Sequence, residues 1–427
     1  MKIKQKVLLS IFLIGFFTTI KADLALQDVV IQSSDNITFF NNGEKIGNSL
    51  TSLELKNGIF QQINNKNNNV LWHQGFKINK VVFQSDGNLV AYTDNEQAVW
   101  SSKSSGHPDS RLVIQGTDGN VVIYNSQNIV LWATNAFPLL SYWMERVQNL
   151  VPAITFNQIT MPGSHDSGMS KANKCSGLAR FSPSSTITQK HSILGQLNSG
   201  TRYFDIRLKK NGNKIYTAHF NNNEMIGGCY GQSLDEIIQE INHFLSTNSR
   251  EILFLRITIY DQENNKNAYI EKLRKSLESR LYKKSSYFNN MITIPHTELK
   301  SLAGKVIILT TDNALVNHEK GIYHWSNYFP SYGNSWANVN NVRELQNIQK
   351  IEIDQSYGLG YSELFFVGWY LTPKDISTPK DFASKTNPLI PGIVNYMASK
   401  DKLANVFYYD FVNSDYNNII IMKNSNY

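Results

Sequence analysis

The rhythm of apolar and polar positions changes twice along this chain. Residues 7–20 form an uncharged, mainly apolar run behind Lys2, Lys4 and Lys6. Residues 23–137 alternate in short apolar stretches between Asn, Gly, Asp and Ser turns, a period-two pattern that predicts strands. Three stretches end alike, at Val70-Leu71-Trp72, Ala98-Val99-Trp100 and Val130-Leu131-Trp132, each 13 or 14 residues after Gly58, Gly87 or Gly119. Trp spacings of 28 and 32 predict three copies of one β unit. From 138 onward, apolar strand candidates at 154–160, 202–207, 215–219, 252–259, 305–310, 351–354, 365–371 and 405–412 enclose helical patterns. One helix is expected over 234–245, opened by a Ser233/Glu236 capping box, and another over 267–281. The expected architecture is therefore multidomain, an all-β module followed by a (β/α)8 TIM barrel. Only eleven residues separate Arg207 from His219, with an Asn211-Gly212 turn among them. That is too few for a parallel crossover, so the barrel should be irregular there.

The N-terminal run is too short to span a bilayer, and its basic flank with Ala22 behind it reads as a secretory signal over 1–22; an uncleaved anchor is the alternative. The expected organisation is signal 1–22, β module 23–137 and barrel 138–427, with no transmembrane segment in a mature, secreted chain. Of 427 residues, 41% are hydrophobic and 18% charged, which excludes a disordered chain. The net charge of +7 favours anionic surfaces mildly, and no long Lys/Arg run suggests nucleic acid. Two cysteines exclude a CxxC zinc site. In an oxidising compartment Cys175 and Cys229 form a single disulfide; two buried free thiols are the alternative. Asn36-Ile37-Thr38 is a glycosylation sequon.

In the middle β unit, Gln84, Asp86, Asn88, Val90 and Tyr92 share one face of an extended strand. Amides, a carboxylate and a phenol can bond sugar hydroxyls, and Val90 can touch the apolar side of a sugar ring. The pattern resembles the bulb-type mannose-binding lectin family, whose motif is Gln-x-Asp-x-Asn-x-Val-x-Tyr and whose fold is a threefold β-prism. The third unit keeps Asp118, Asn120, Val122 and Tyr124, with Gln115 one residue early unless a bulge restores it. The first has Lys56, Gly58, Phe60 and Asn64 at the corresponding positions and should hold no sugar. Mannose-type glycans are the partner this resemblance implies; a prism kept only for stability or protein contact is the other reading.

In the barrel, Gly163-Ser164-His165-Asp166-Ser167, Phe204-Asp205-Ile206-Arg207 and His219 fall at the ends of three successive strand candidates; Asp354 and Asp410 end the sixth and eighth. Strand ends carry active sites in this fold. Two histidines and an arginine there suit phosphodiester chemistry, as base, acid and phosphate clamp. The set resembles the X-domain of phosphatidylinositol-specific phospholipases C, most similar to the metal-independent bacterial-type branch, over roughly 150–415. The resemblance implies His165 as base on the inositol 2-hydroxyl, His219 as acid on the diacylglycerol oxygen and Arg207 as clamp. It implies Asp166, Asp205 and Asp410 as supports, and Asp354 as an inositol contact. An inositol phospholipid at a membrane surface is the implied partner. Thr258 is the implied substrate contact where the family often has Lys, and Thr310-Thr311-Asp312 stands where it often has Arg.

No metal or other cofactor is expected, because Arg207 occupies the place of a calcium ion and the two charges would repel. A glycerophosphodiesterase would want a Glu-x-Asp metal pair that Phe204-Asp205-Ile206-Arg207 does not supply. Tyr323, Trp325, Tyr328, Phe329, Tyr332 and Trp336 form an aromatic-rich stretch suited to a membrane interface or to packing. The alternative function is a secreted mannose-binding lectin with a catalytically inert barrel.

Overall fold

The computed structural model describes residues 27–426 apart from 42, 67, 69, 76, 117, 135, 222, 262, 284–295, 328–336, 357–363 and 374–376. The signal-like segment, and Tyr328 to Trp336 of the aromatic stretch, lie outside the described residues.

Among the described residues the N-terminal region contains twelve short strands: β1 (Val29–Gln32), β2 (Thr38–Phe40), β3 (Lys45–Gly47), β4 (Thr51–Lys56), β5 (Ile59–Asn64), β6 (Val70–Gln74), β7 (Lys80–Phe83), β8 (Leu89–Tyr92), β9 (Ala98–Ser101), β10 (Arg111–Ile114), β11 (Val121–Tyr124) and β12 (Val130–Ala133). They form three four-stranded antiparallel sheets, ordered β3-β4-β5-β6, β2-β7-β8-β9 and β1-β10-β11-β12. Each sheet is one sequence unit plus a strand lent from the N-terminal end. Alternation sends Leu53, Leu55, Phe60, Val81, Phe83, Leu89, Leu112 and Ile123 into one shared core. Trp72, Trp100 and Trp132 meet edge to face, with ring centroids 5.5–5.7 Å apart. These three units need one another, since a lone four-stranded sheet would leave its apolar face in water.

The C-terminal region begins with α1 (Trp143–Leu150). Parallel strands β13 (Met161–Ser164), β15 (Tyr203–Asn211), β18 (Leu253–Ile259), β19 (Val306–Thr310), β20 (Ile322–His324), β21 (Phe366–Trp369) and β22 (Val406–Tyr409) pair in the order β20-β19-β18-β15-β13-β22-β21. The last two strands of the meander, β16 (Lys214–Phe220) and β17 (Gly228–Ser233), run antiparallel from the outer half of β15, with β14 (Asn173–Ser176) at their edge. Phe204, Ile206 and Leu208 point outward under α2 (Ile193–Asn198), α3 (Leu234–Thr247) and α4 (Glu263–Ser276). Val367, Trp369, Phe407 and Tyr409 do so under α5 (Val342–Gln355), α6 (Pro379–Thr386) and α7 (Ile390–Ser399). The Ser233/Glu236 box caps α3 as its sequence predicts.

Three sequence expectations need correction. The segment 154–160 contains a short 3-10 turn, and the first strand starts at Met161. The stretch between Arg207 and His219 is a hairpin, so His219 reaches the site on an antiparallel arm rather than on a third parallel strand. Residues 351–354 are the last turn of α5, because Leu345, Gln349 and Ile353 form a buried helical stripe. The parallel strand that follows β19 is instead β20.

The two regions are joined by polar contacts. Asn64 Nδ2 donates to the Pro138 carbonyl at 3.2 Å, and Lys66 Nζ pairs with Glu145 at 2.5 Å. Asn418 of α8 (Ser414–Ile421) reaches Asp118 at 3.5 Å. Among the described residues no helix is long and apolar enough to cross a membrane.

Candidate active site

β13 and β22 lie side by side in parallel register, Ser164 opposite Tyr409. The next residues, His165 and Asp410, therefore leave the sheet together. His165 Nδ1 is 2.8 Å from Asp410 Oδ1. Both strand ends turn sharply: Asp166 and Phe411 have φ of 45° and 53°, a conformation unfavourable for L residues unless the surroundings impose it. Here Thr188 Oγ1 donates to the Asp166 carbonyl at 3.0 Å. Gly168 packs so closely that a Cβ would come within 2.2 Å of Thr217 Cγ2. The imposed turn lets His165 and Asp166, neighbours in sequence, both reach Arg207.

Asp205 and Arg207 alternate inward on β15. Arg207 is the hub. Its Nε donates to Asp205 Oδ2 at 2.9 Å, Nη1 to Asp166 Oδ2 at 3.1 Å, and Nη2 lies 2.7 Å from His165 Nε2. A guanidinium can only donate, so Nε2 is the acceptor and the histidine proton resides on Nδ1, facing Asp410. His219 Nδ1 lies 2.9 Å from Asp166 Oδ2. The contact is ion-pair length but off the N–H direction, since that nitrogen makes no aligned hydrogen bond. Tyr408 donates its hydroxyl to Asp205 at 2.7 Å, and Tyr370 stacks on the His165 ring at 4.1 Å between centroids.

The electrostatics divide the carboxylates. Burial by itself would raise Asp205 and Asp166. Arg207 together with Arg256, His165 and the Tyr408 hydroxyl at Asp205, and with His219 and His165 at Asp166, outweighs it, so both titrate below the usual carboxylate range. Burial dominates at Asp410 and pushes it up, with His165 only partly offsetting. Arg207 sits between the two depressed carboxylates, where a cation would have to displace it.

The cavity above this network has a volume of about 540 Å³. His165, Arg207, His219, Asp410 and Thr188 supply its polar wall, and Phe366, Tyr370, Leu371, Pro373 and Pro379 its apolar one. The structure thus brings together His165, His219, Arg207, Asp166, Asp205 and Asp410. It does not bring Asp354 to them. Asp354 is at the C-terminal end of α5, exposed, and accepts from Tyr396 Oη at 2.9 and 3.0 Å. Thr258 stands in register beside Arg207 but is not part of the cavity wall. Tyr323 and Trp325 are buried, which removes them from any interfacial role. Three residues escaped the sequence reading: Tyr370, Tyr408 and Arg256. For Arg256 a signal existed, since it shares the inward parity of Thr258 on the same strand.

In the β region, Gln84 Nε2 donates to Tyr92 Oη at 2.8 Å and Asp86 Oδ1 accepts from Asn88 N at 3.0 Å. Asp86 is exposed and Val90 buried. The third unit repeats this: Gln115 Nε2 donates to Tyr124 Oη at 3.0 Å, so the extra turn residue restores the pairing that linear spacing left one place off. Yet Asn120 is buried, its Oδ1 accepting from Thr134 and Val121, and burial raises the Asp118 pKa beside Asn418. The third motif therefore lines the joint between the regions. Asn36 is exposed, and Cys175 and Cys229 are joined by a disulfide.

The class of the barrel follows from comparison as well as geometry. Residues 159–312 match the family model "Phosphatidylinositol-specific phospholipase C, X domain". The chain is 27% identical to PI-PLC X domain-containing protein 3 of Mus musculus over 136 residues, 26% of this chain and 40% of that protein. It is 26% identical to 1-phosphatidylinositol phosphodiesterase of Listeria monocytogenes over 162 residues, 36% of this chain and 44% of that protein. The match thus spans less than half the length of either relative. Among solved structures, phosphatidylinositol-specific phospholipase C from Listeria monocytogenes aligns with a TM-score of 0.52 at 20% identity, covering 67% of this chain and 98% of that one. The Staphylococcus aureus enzyme gives 0.51 at 16%, covering 66% and 96%. Two thirds of the chain therefore share the fold of bacterial phospholipases C of this type.

Proposed function

We propose that this chain is a secreted phosphodiesterase that cleaves inositol phospholipids or glycosylated phosphatidylinositol anchors, with a β-prism lectin module for mannose-type glycans. The observation that carries the reading is the placement of His165 and His219 on either side of Arg207. His165 Nε2 takes the proton of the inositol 2-hydroxyl; that oxygen attacks phosphorus, and the bond from phosphorus to the diacylglycerol oxygen breaks. His219 delivers the proton to the leaving oxygen, and the product is a cyclic inositol phosphate. Arg207 donates to the phosphoryl oxygens; moving to them frees the His165 nitrogen it covers in the resting site. A fluorescent phosphatidylinositol assay on the full chain tests the reading, and absence of turnover would leave the inert-barrel lectin.

Activity is expected to persist in excess EDTA, because Arg207 holds the carboxylates a hard cation would need. Loss with EDTA that added calcium restores would show that an ion displaces the guanidinium.

The middle β unit supports the glycan part of the proposal, because its motif is open where the third is built into the joint. Cleavage of mannosylated anchors should fall about tenfold or more in a Gln84→Ala/Asp86→Ala variant, as expected when linkage between two weak sites is lost. Cleavage of plain phosphatidylinositol in bare vesicles should stay within about twofold, and free mannose should reproduce the selective loss in the unaltered chain. Equal effects on both substrates would separate the module from the substrate.

A further inference from the structure

The barrel itself fixes most of the site: His165 and Asp166 follow β13, Asp205 and Arg207 stand on β15, and Asp410 follows β22. His219 is different, because it stands on the hairpin strand β16. That strand is laddered to β15 from Lys214 to Thr217 and parts from it there. Beyond that point its ladder neighbour is β17, with Ala218 opposite Tyr230, His219 opposite Cys229 and Phe220 opposite Gly228.

The inner end of this arm is well anchored. Thr217 Oγ1 and Gln232 N donate to the Gly168 carbonyl at 3.1 and 3.0 Å, and a Cβ on Gly231 would come within 2.4 Å of the same oxygen. The outer end has far less. Its turn is exposed at 221 and 223–226. Beneath it Met169, Ala179 and Cys229 make a small core cluster of their own, with Ala172 and Cys175 packed against it. On its far side β14 supplies the ladder pairs Asn173–Tyr230 and Ser176–Gly228, with irregular register between them. The His219 side chain adds only its misaligned contact to Asp166.

The strong tie at this level is covalent. Cys229 is fully buried directly across the ladder from His219, and it is bonded to Cys175 of β14 over a sequence separation of 54. β14 belongs to the segment that leaves His165 and Asp166, so the bond joins the strand facing the acid to the chain that carries the base. We propose that the Cys175–Cys229 disulfide is a positioning device for His219, holding β17 against β14 and so keeping the general acid at its place opposite His165. This deepens the phosphodiesterase reading above and rests on it. A displacement of about 1 Å in a reacting group costs about a hundredfold. A disulfide also stabilises a fold by restricting the open chain. Stabilisation is blind to the leaving group of the substrate, whereas the placing of an acid is not.

Two soluble esters of inositol 1-phosphate separate these roles. The oxygen of a butyl ester must be protonated as it leaves; that of a nitrophenyl ester leaves without a proton. Both are given to the full chain with its bond intact, to the same chain opened by a phosphine reductant and checked by thiol titration, and to Cys175→Ala/Cys229→Ala. Opening the bond by either route should lower kcat for the butyl ester about ten- to a hundredfold, with KM and all nitrophenyl turnover within about threefold. Reoxidation should restore the loss. In a His219→Ala background, opening the bond should cost butyl ester turnover nothing further, since the group it places is gone. Amide exchange should quicken at 218–220 and 228–230 and stay unchanged at 203–206 of β15.

Equal losses on the two esters would make the bond a staple of the fold and overturn the proposal, as would a further loss in the His219→Ala background. Unchanged exchange at 218–220 overturns it whatever the turnover. Were neither ester cleaved with the bond intact, the phosphodiesterase reading would fail, while exchange would still decide whether the bond holds His219. Should the double variant fail to fold, the reversibly reduced chain decides.

Discussion

His165→Ala and His219→Ala should each lower phosphatidylinositol turnover by about 10²–10⁴-fold, the usual share of one general acid or base. The two losses should differ in kind. His165 is fixed on three sides, by Asp410 at Nδ1, by Arg207 at Nε2 and by the Tyr370 ring against its face. Removing it leaves the raised Asp410 carboxyl buried without its partner, so a stability loss should accompany the kinetic one. His219 is partly exposed on the hairpin and makes one loose contact to Asp166, so His219→Ala should unfold close to the unaltered chain. A substrate whose leaving group needs no protonation, such as a nitrophenyl ester of inositol phosphate, should recover most of the His219→Ala loss and little of the His165→Ala loss. Full turnover by either folded variant on the natural lipid, or recovery by the wrong one, would undo the assignment of roles.

Asp410→Asn isolates the link between the two strand ends. Unlike the carboxylate, the amide can present its NH2 group to the ring and donate to Nδ1, so the histidine can take the other tautomer, with its proton on Nε2 toward Arg207. Two donors would then face each other at the 2.7 Å contact. The expected result is lower turnover with substrate binding little changed.

The elements that position this site were legible to different degrees, for physical reasons. His165 and Arg207 could be placed because a buried strand ends where its apolar run stops, and the next polar residues fall at the sheet edge. Asp354 was misplaced by the same logic. Ile351, Glu352, Ile353 and Asp354 alternate over four residues, too few to separate period two from period 3.6, and the buried stripe through Leu345 and Gln349 decides for a helix. The hairpin that carries His219 was visible as a forbidden crossover, although spacing alone did not show that its return strand would lie antiparallel on β15. Gln115 was counted one place off because sequence offsets take turns to be of equal length; the third turn is one residue longer and still delivers the amide to Tyr124. Arg256 and Tyr370 were passed over because each looks ordinary in its own segment. Only the fold as a whole puts β18 and the residue after β21 on the same cavity.

Breaking the Arg202–Glu251 pair should cost the barrel about 3–5 kcal/mol, the range for leaving one member of a buried ion pair alone. Both side chains are fully buried beneath the barrel, and Arg202 Nε donates to Glu251 Oε2 at 2.7 Å. Burial opposes both charges, lowering Arg202 and raising Glu251, so the pair is not held by attraction alone. What distinguishes it is the backbone it serves. Arg202 also donates to the carbonyls of Leu140, Ser141, Leu197 and Thr201, and Glu251 accepts the amides of Met144 and Glu145 at the start of α1. The pair thus satisfies six backbone groups and fastens the segment between the two regions to the underside of the sheet. Isolated buried pairs can often be replaced by apolar residues at no loss. Here an Arg202→Met/Glu251→Leu double variant should stay destabilised by several kcal/mol, because the carbonyls and amides lose their partners along with the charges. Urea unfolding of Glu251→Gln, Arg202→Met and the double variant measures this. A double variant as stable as the unaltered chain would mean that the backbone groups find other partners and that the pair acts through charge alone. If the pair acts through the backbone, the double variant should also loosen α1. Amide exchange at Met144 and Glu145 should then quicken more than at the core of β15, which is tied on both sides by β13 and β18.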